Sequence, residues 1–329
     1  VAKWNPVRRN MRRRIVGAMI VLLGLPADAP LAMVGAELER LGQTVVFVDQ
    51  REVLQIEVDV TFGRDVSGTL RIGGEVVDLD SVSAVYLRLY GLDQLPVLRG
   101  HDRNGAAWMH AVAVNDTIST WTELTAAFVV NRLSAMASNG SKPYQSRIIE
   151  AHGFKIPDTL VTTDAEAVRE FWLRYGAVIY KSTSGVRSIV NRLTAENAGR
   201  LSQLHWCPTQ FQQYIPGHDY RVHVVGEQTF ACEIVSDADD YRYAGRKGLH
   251  TKLQAWPIPP QLAERCRSLA RTLELPFAGI DLRYHPAGQW FCFEVNPSPA
   301  FSYYEDATGQ PIAAAVARLL IDGAEAQPK

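Results

Sequence analysis

Two carboxylates and an amide stand close together near the end of the chain, in FAGIDLRYHPAGQWFCFEVNPSP from Phe277 to Pro299. The stretch predicts two strands, Phe277–His285 and Trp290–Asn296, joined by the turn Pro286-Ala287-Gly288-Gln289. A turn of that length sets His285 opposite Trp290, Asp281 opposite Glu294 and Gly279 opposite Asn296. Alternation then puts Gly279, Asp281, Arg283, Cys292, Glu294 and Asn296 on one face. Ile280, Leu282, Phe291, Phe293 and Val295 fall on the other, a core face. Adjacent carboxylates repel unless a proton or a cation lies between them. Three hard oxygen ligands converging from paired strands suit Mg²⁺, which leaves room for phosphate oxygens. The acidic, solvated face of an ordinary hairpin would read the same way, since exposed strand faces are polar.

Three features upstream match that chemistry. Lys142 stands at a helix start, where the dipole and free N–H groups favour an anion; the ordinary alternative is a surface lysine. Lys181 ends the apolar strand Ala177–Lys181 and is followed by a polar loop from Ser182 to Ser188 that contains Gly185. A lysine in such a strand needs an anionic partner, and the loop can offer backbone N–H groups to phosphate; a cross-strand salt bridge is the alternative. The run QFQQYIPGHDYR, Gln210 to Arg221, ends a strand between two modules. Its free backbone groups can read a purine edge and Asp219 can reach ribose hydroxyls, or the run is a solvated hinge.

These residues need a scaffold, and 329 residues are enough for two or three domains. The net charge of −1 gives no basic excess for nucleic acid, and the apolar content is that of a soluble globular protein. Cys207, Cys232, Cys266 and Cys292 are scattered without zinc-type spacing, which fits reduced thiols in the cytoplasm. The first fourteen residues are basic, and with the apolar run after them they resemble a leader. The reading preferred here is a disordered tail, 1–14, followed by a buried strand, Ile15–Leu23. A helix Pro30–Leu41 and a strand Thr44–Val48 then complete a βαβ start. No apolar run is long enough to cross a membrane.

Gly68 and Gly73-Gly74 mark turns before a strand at Val82–Leu89, and the stretch from Gly105 reads as helix and then short strand. A helix opens at Ser141 or Lys142 and stops at Gly153, followed by a strand Phe154–Val161. Thr163 to Glu166 reads as a capping box for a helix that ends at Gly176. A helix at Ala195–Leu204, a strand at Thr209–Ile215, and a hairpin turning at Gly226-Glu227 come next. Ser236–Gly248 is a charged loop, Leu262–Leu273 an amphipathic helix, and Pro311–Ile321 a closing helix.

The order Lys142, Lys181, QQYI at 212–215, Asp219-Tyr220-Arg221, then GIDLR with FEVNPSP resembles the ATP-grasp ligases. Within them the chain is similar to the RimK-type glutamate ligases and the graspetide (microviridin-type) peptide cyclases. The resemblance covers residues 130–322 well and the first domain only by position and pattern. It implies an ATP-grasp fold of α/β and α+β character. A pre-ATP-grasp α/β domain at 15–125 would precede two α+β modules, 126–215 and 216–324, that clasp the nucleotide. It also implies ATP and Mg²⁺ as cofactors, with two ions and Mn²⁺ able to substitute. Lys142 and Lys181 match phosphate contacts, and Ser182 and Gly185 belong to the loop over the γ-phosphate. Gln212, with the backbones of Gln213 and Ile215, matches the adenine contacts, and Asp219 the ribose contact. Asp281, Glu294 and Asn296 match the metal ligands, and Arg221 and Arg283 the arginines at the transferred phosphoryl group. The loop is poorer in glycine than in relatives and carries Arg187. Gln213 replaces the usual hinge acid, and NPSPAFSYYE lacks the glycine that relatives often place after NP.

The implied activity is ADP-forming ligation. A carboxylate is a poor electrophile until ATP converts it to an acyl phosphate, which an amine or hydroxyl then attacks. Water must be excluded, and the loops at 182–188 and 236–248 are the candidates. His223, close to Arg221, reads as a structural histidine rather than a proton shuttle. The substrates would be a carboxylate and an amine or hydroxyl acceptor, with SDADDYR and TGQPIAAAVARLL leaning towards a peptide. Nucleic acid and membrane are not expected partners, and a homo-oligomer stays open. A phosphotransferase, or a silent nucleotide-binding scaffold, are the alternative functions.

Overall fold

The computed structural model describes residues 19–182, 190–236 and 251–326. The basic tail, Gly185 with the rest of 183–188, and nearly all of the charged loop at 236–248 lie outside the described residues. In chain order the first segment holds β1 (Met19–Gly24), α1 (Ala29–Arg40), β2 (Thr44–Asp49), β3 (Glu57–Phe62), β4 (Val66–Ile72), β5 (Glu75–Asp78), β6 (Val82–Leu87), α2 (Ala106–Leu124) and β7 (Phe128–Val130). Next come α3 (Leu133–Met136), α4 (Lys142–Ala151), β8 (Thr159–Thr162), α5 (Ala165–Tyr175), β9 (Val178–Ser182), β10 (Asn191–Arg192), α6 (Ala195–Ala198) and β11 (Thr209–Gln213). The last segment is β12 (His218–Val225), β13 (Gln228–Ser236), β14 (Thr251–Ala255), α7 (Pro260–Thr272), β15 (Phe277–His285), β16 (Gln289–Asn296), α8 (Ser302–Thr308) and α9 (Ile312–Glu325).

The first sheet runs β2-β1-β6-β7 with every pairing parallel. Both of its faces are covered, which is why MIVLLG is apolar without alternation. Val21, Leu23, Val85 and Val129 pack with Ala111, Val114, Ile118 and Trp121 of α2. On the other face Ile20, Leu22, Ala84 and Val130 pack with Leu31, Val34 and Leu38 of α1 and with Ile312, Val316 and Leu320 of α9. The closing helix therefore seals the sheet that opens the chain. A small antiparallel sheet, β3-β4-β5, extends the α2 side. Gly68 lies within β4 opposite Val60 rather than in a turn, and the close approach of β3 explains the glycine: a Cβ there would sit 2.2 Å from the Asp59 oxygen.

The second sheet, β10-β9-β11-β8, is antiparallel. Val178 and Phe211 turn into its core with Val168 of α5, so Ile179, Lys181, Gln210 and Gln212 share the opposite face. The third sheet, β14-β13-β12-β15-β16, is also antiparallel and packs Val222, Val224, Ala278, Ile280 and Leu282 against Leu262, Cys266 and Leu269 of α7.

Several local expectations need correction. The strand before α5 begins at Thr159, since Lys155 makes only an isolated bridge to Phe291. Asp164, not Thr163, caps α5, accepting from the Glu166 amide. The helix expected at Ala195–Leu204 breaks after Ala198 into a 3-10 turn, Leu201–Trp206.

Candidate active site

The strands β15 and β16 pair Gly279 with Asn296 and Asp281 with Glu294, as alternation required. The register then shifts: Leu282 faces Cys292, Arg283 faces Phe291, and His285 faces Gln289 rather than Trp290. The turn is one residue shorter than expected, and a bulge at Phe293 restores the acid pair. Cys292 is consequently a core residue, 1% exposed, and not on the acid face. Phe293 takes the acid side, where Arg283 lies 5.2 Å above its ring, and Phe291 sits opposite Arg283 instead of in the core row.

β12 completes the acid face from its other side. Its register sets Arg221 opposite Asp281 and Asp219 opposite Arg283. Arg221 Nη1 donates to Asp281 Oδ1 at 2.7 Å, with the arginine side chain only 5% exposed. Arg283 grips Asp219 through two bonds, Nε to Oδ1 at 2.7 Å and Nη2 to Oδ2 at 2.8 Å. Its Nη1 donates to the Ile215 carbonyl at 2.7 Å, which ties the hinge to the acid sheet. Gly279 leaves room for this packing, because a Cβ there would lie 2.1 Å from Arg221 Nη2. His223 is buried, and Arg221 Nε donates to its Nε2 at 3.4 Å. Burial first, and then the Arg221 charge, hold this imidazole well below its ordinary pKa, so it stays neutral and structural.

Lys142 reaches Glu294 from α4, its Nζ 3.6 Å from Glu294 Oε2. Gln145, one turn further along, is 2% exposed and bonds both backbone groups of Val295. The readable signal for Gln145 was a polar residue four positions before the buried Ile149, within the apolar stripe of α4. Two more residues were missed. Asn131 Nδ2 donates to the carbonyls of Phe277 and Pro297, and Arg88 Nη1 donates to Ser298 Oγ and the Pro299 carbonyl. Each is a polar residue just past an apolar parallel strand.

An open cleft joins the two faces. Lys181, Gln212, Gln213 and Ile215 line one side, and Asp219, Asp281, Arg283 and Glu294 the other. Ser182 ends β9 beside Lys181. Gln212 is 6% exposed and donates to Thr159 Oγ1 at 3.0 Å, so its amide is oriented from behind. Asn296 Oδ1 accepts from the Ser298 amide at 3.0 Å. No group of three His, Cys, Asp or Glu side chains gathers among the described residues. Two carboxylates and an amide oxygen nevertheless form a donor set of hard oxygens, which fits Mg²⁺ with ligand oxygens completing its shell. Among the described residues no helix is long and apolar enough to cross a membrane.

Comparison with known proteins adds a further observation. The RimK-like ATP-grasp domain matches residues 141–320. The fold is similar to macrocyclase MdnC from Microcystis aeruginosa MRC bound with precursor peptide MdnA. That match has a TM-score of 0.78 at 23% identity, covering 92% of this chain and 99% of that one. It is similar to a Chryseobacterium gregarium RiPP-associated ATP-grasp ligase in complex with ADP and a leader and core peptide, with a TM-score of 0.79 at 23% identity over 93% and 97% of the two chains. It is also similar to ATP-grasp ligase PsnB complexed with a phosphomimetic variant of its minimal precursor, Mg and ADP, with a TM-score of 0.74 at 26% identity over 93% and 98%. No match was found among curated proteins.

Proposed function

Since this chain belongs to the RimK-like ATP-grasp family, we propose that it is an ADP-forming ligase that joins a carboxylate to an amine or hydroxyl on a peptide. The observation that carries this reading is the acid pair Asp281 and Glu294 facing Lys181 across one cleft, with cations from β12 and α4 already on each acid.

ATP would lie in the cleft with its adenine between Gln212 and the backbones of Gln213 and Ile215, and its ribose against Asp219. Lys142 and Lys181 would meet the phosphates, with Ser182, at the end of β9, beside them. Asp281, Glu294 and Asn296 would hold one or two Mg²⁺ ions, or Mn²⁺ in their place. Bound metal supplies charge neutralisation on the phosphate oxygens. The chain's own residues do the rest. Arg221, fixed on the sheet by Asp281 and His223, presents a guanidinium that cannot deprotonate near neutral pH to the charge growing on the transferred phosphoryl group. Arg283 holds Asp219 and the hinge carbonyl in one geometry, which orients the nucleotide relative to the acids. The substrate carboxylate attacks the γ-phosphorus, ADP leaves, and the acceptor displaces phosphate from the acyl carbon.

Peptide as the substrate class is supported by the complexes of similar structures with their own precursor peptides. The test is hydroxylamine trapping with a library of acidic peptides. A ligase yields a peptide hydroxamate together with ADP. A phosphopeptide that survives without hydroxamate would replace this reading with a phosphotransferase, and ATP binding without any turnover would replace it with a scaffold.

A further inference from the structure

Asn296 is the last residue of β16, and its geometry is fixed from a different sheet. Three residues follow it, Pro297-Ser298-Pro299, and each is gripped by a buried side chain at the carboxyl end of a parallel strand. Asn131, just past β7 and 2% exposed, donates to the Pro297 carbonyl at 2.5 Å. Arg88, just past β6 and 8% exposed, donates through Nη1 to Ser298 Oγ at 3.1 Å and to the Pro299 carbonyl at 3.2 Å. The other edge of the same guanidinium is clamped by Asp28, through Nε at 2.8 Å and Nη2 at 3.1 Å. Tyr90 Oη donates to the second Asp28 oxygen at 2.7 Å, so the clamp itself is braced. Ser298 in turn donates its amide to Asn296 Oδ1.

The chain of contacts therefore runs Asp28, Arg88, Ser298, Asn296. A buried ion pair is not a gain in stability by itself, because desolvation of both charges offsets their attraction. What a planar fork adds is direction: one edge is spent on Asp28, which leaves the other aimed at a single turn of chain. Arg88 directly follows β6 and Asp28 caps α1 just after β1, so the pair lies at the crevice where an open parallel sheet reverses its order and where such sheets bind ligands.

We propose that Arg88 is a positioning residue for metal binding, fixing the Ser298–Pro299 turn so that the Ser298 amide holds Asn296 Oδ1 with its remaining lone pair free for the ion. This rests on the assignment of Asn296, Asp281 and Glu294 as the metal site. Lysine at position 88 keeps the charge that Asp28 needs but has no second edge to give the turn, so Arg88→Lys separates positioning from folding. Ser298→Ala removes only the hydroxyl contact and leaves Asp28 and Arg88 paired.

The experiment measures Mn²⁺ binding by electron paramagnetic resonance in the presence of a non-hydrolysable ATP analogue, alongside thermal melting and nucleotide affinity without divalent ions. Arg88→Lys is expected to weaken Mn²⁺ about tenfold, the scale of lost support for a metal ligand. Ser298→Ala should weaken it in the same direction, both with native metal-free nucleotide affinity, and excess Mg²⁺ should restore turnover. Glu294→Gln is the control for the site itself. Native Mn²⁺ affinity in Arg88→Lys beside a weakened Glu294→Gln overturns the role of Arg88 alone. Native affinity in Glu294→Gln overturns the metal assignment and this proposal with it. Loss of melting temperature and of nucleotide affinity together in both Arg88→Lys and Ser298→Ala would show a purely structural pair and overturn it as well.

Discussion

Gln145 and Val295 are joined by two hydrogen bonds, Nε2 to the Val295 carbonyl and the Val295 amide to Oε1, both at 2.9 Å. β16 is the edge of a five-stranded sheet, and its outer groups pair with the Lys155 backbone around Phe291 and with this side chain at Val295. Because Lys142 and Gln145 lie one turn apart on α4, and Glu294 and Val295 are adjacent on β16, the same contact sets the lysine against the acid. Gln145→Leu would leave a buried amide and a buried carbonyl unpaired, at roughly 1–3 kcal/mol each. Urea unfolding should show a loss on the order of 3 kcal/mol, and wild-type stability would mean that α4 is held by its apolar face alone.

Glu294→Gln should fold normally and lose turnover. Its side chain is 26% exposed and 3.6 Å from Lys142, so removing the charge leaves no buried ion stranded. ATP consumption with peptide substrate should fall by about a hundredfold or more, the scale of a lost electrostatic contact at a reacting phosphate. Asp281→Asn should be equally inactive but less stable, since it removes the carboxylate from the buried Arg221. Wild-type ADP release from either variant would sink the assignment of these acids.

The acid pair was legible in the sequence for a reason that the register makes plain. Alternation fixes which residues share a face near Asp281 and Glu294, and the shorter turn and the Phe293 bulge are two single-residue changes that cancel there. Beyond the bulge the expectation fails, and Cys292 and Phe293 exchange sides. Apolar periodicity also located α1 and α7, because each packs one stripe on a sheet, while α5 was marked by its capping residues and the glycine that ends it. Short pieces such as β10, β14 and α8 escaped, since two to seven residues carry too little pattern to separate strand or helix from turn. Arg88 and Asn131 escaped for another reason: their roles come from contacts more than a hundred residues away in the chain, to which no local spacing refers; for Gln145 the spacing to Ile149 marked burial but not its partner Val295.

His223 makes stability depend on pH. Its folded pKa lies well below 6.5, through burial and then Arg221, whereas the unfolded histidine titrates near 6.5. Between those values the unfolded chain binds the extra proton, so this contribution is complete above about pH 6.5 and falls as the medium becomes more acid. The slope is about 1.4 kcal/mol per pH unit for one proton. Glutamine can still accept from Arg221 but does not titrate. Melting curves from pH 7.5 to 5.5 should therefore show wild type losing stability relative to His223→Gln, and parallel curves would show the ring is protonated in place.

Thiol chemistry should single out one cysteine. Cys207 is exposed, while Cys232, Cys266 and Cys292 are buried. Burial pushes the Cys232 thiol up to about 11 and the Cys266 thiol up to about 12, and raises Cys292 as well. A disulfide reagent at pH 8 should label one thiol quickly in the native protein and the others only on unfolding. Cys207→Ser should abolish the fast phase, and a fast phase that survives would mean that one of the buried sites opens.

Gly279→Ala separates the geometry of the site from its charges, since no ionisable group changes. The added Cβ would lie 2.1 Å from Arg221 Nη2 and 2.7 Å from the Pro299 Cβ. The far end of an arginine is the softer neighbour, so the guanidinium rather than the strand should give way. It cannot move without lengthening its 2.7 Å bond to Asp281, because Arg221 is buried and braced by His223. Turnover should therefore fall at least tenfold, the cost of misplacing a contact by about an ångström. Most of the thermal stability should remain, as the strand pairing of β15 is untouched. Full activity in Gly279→Ala would show that the cleft tolerates a displaced Arg221, and the arginine would lose its place in phosphoryl transfer.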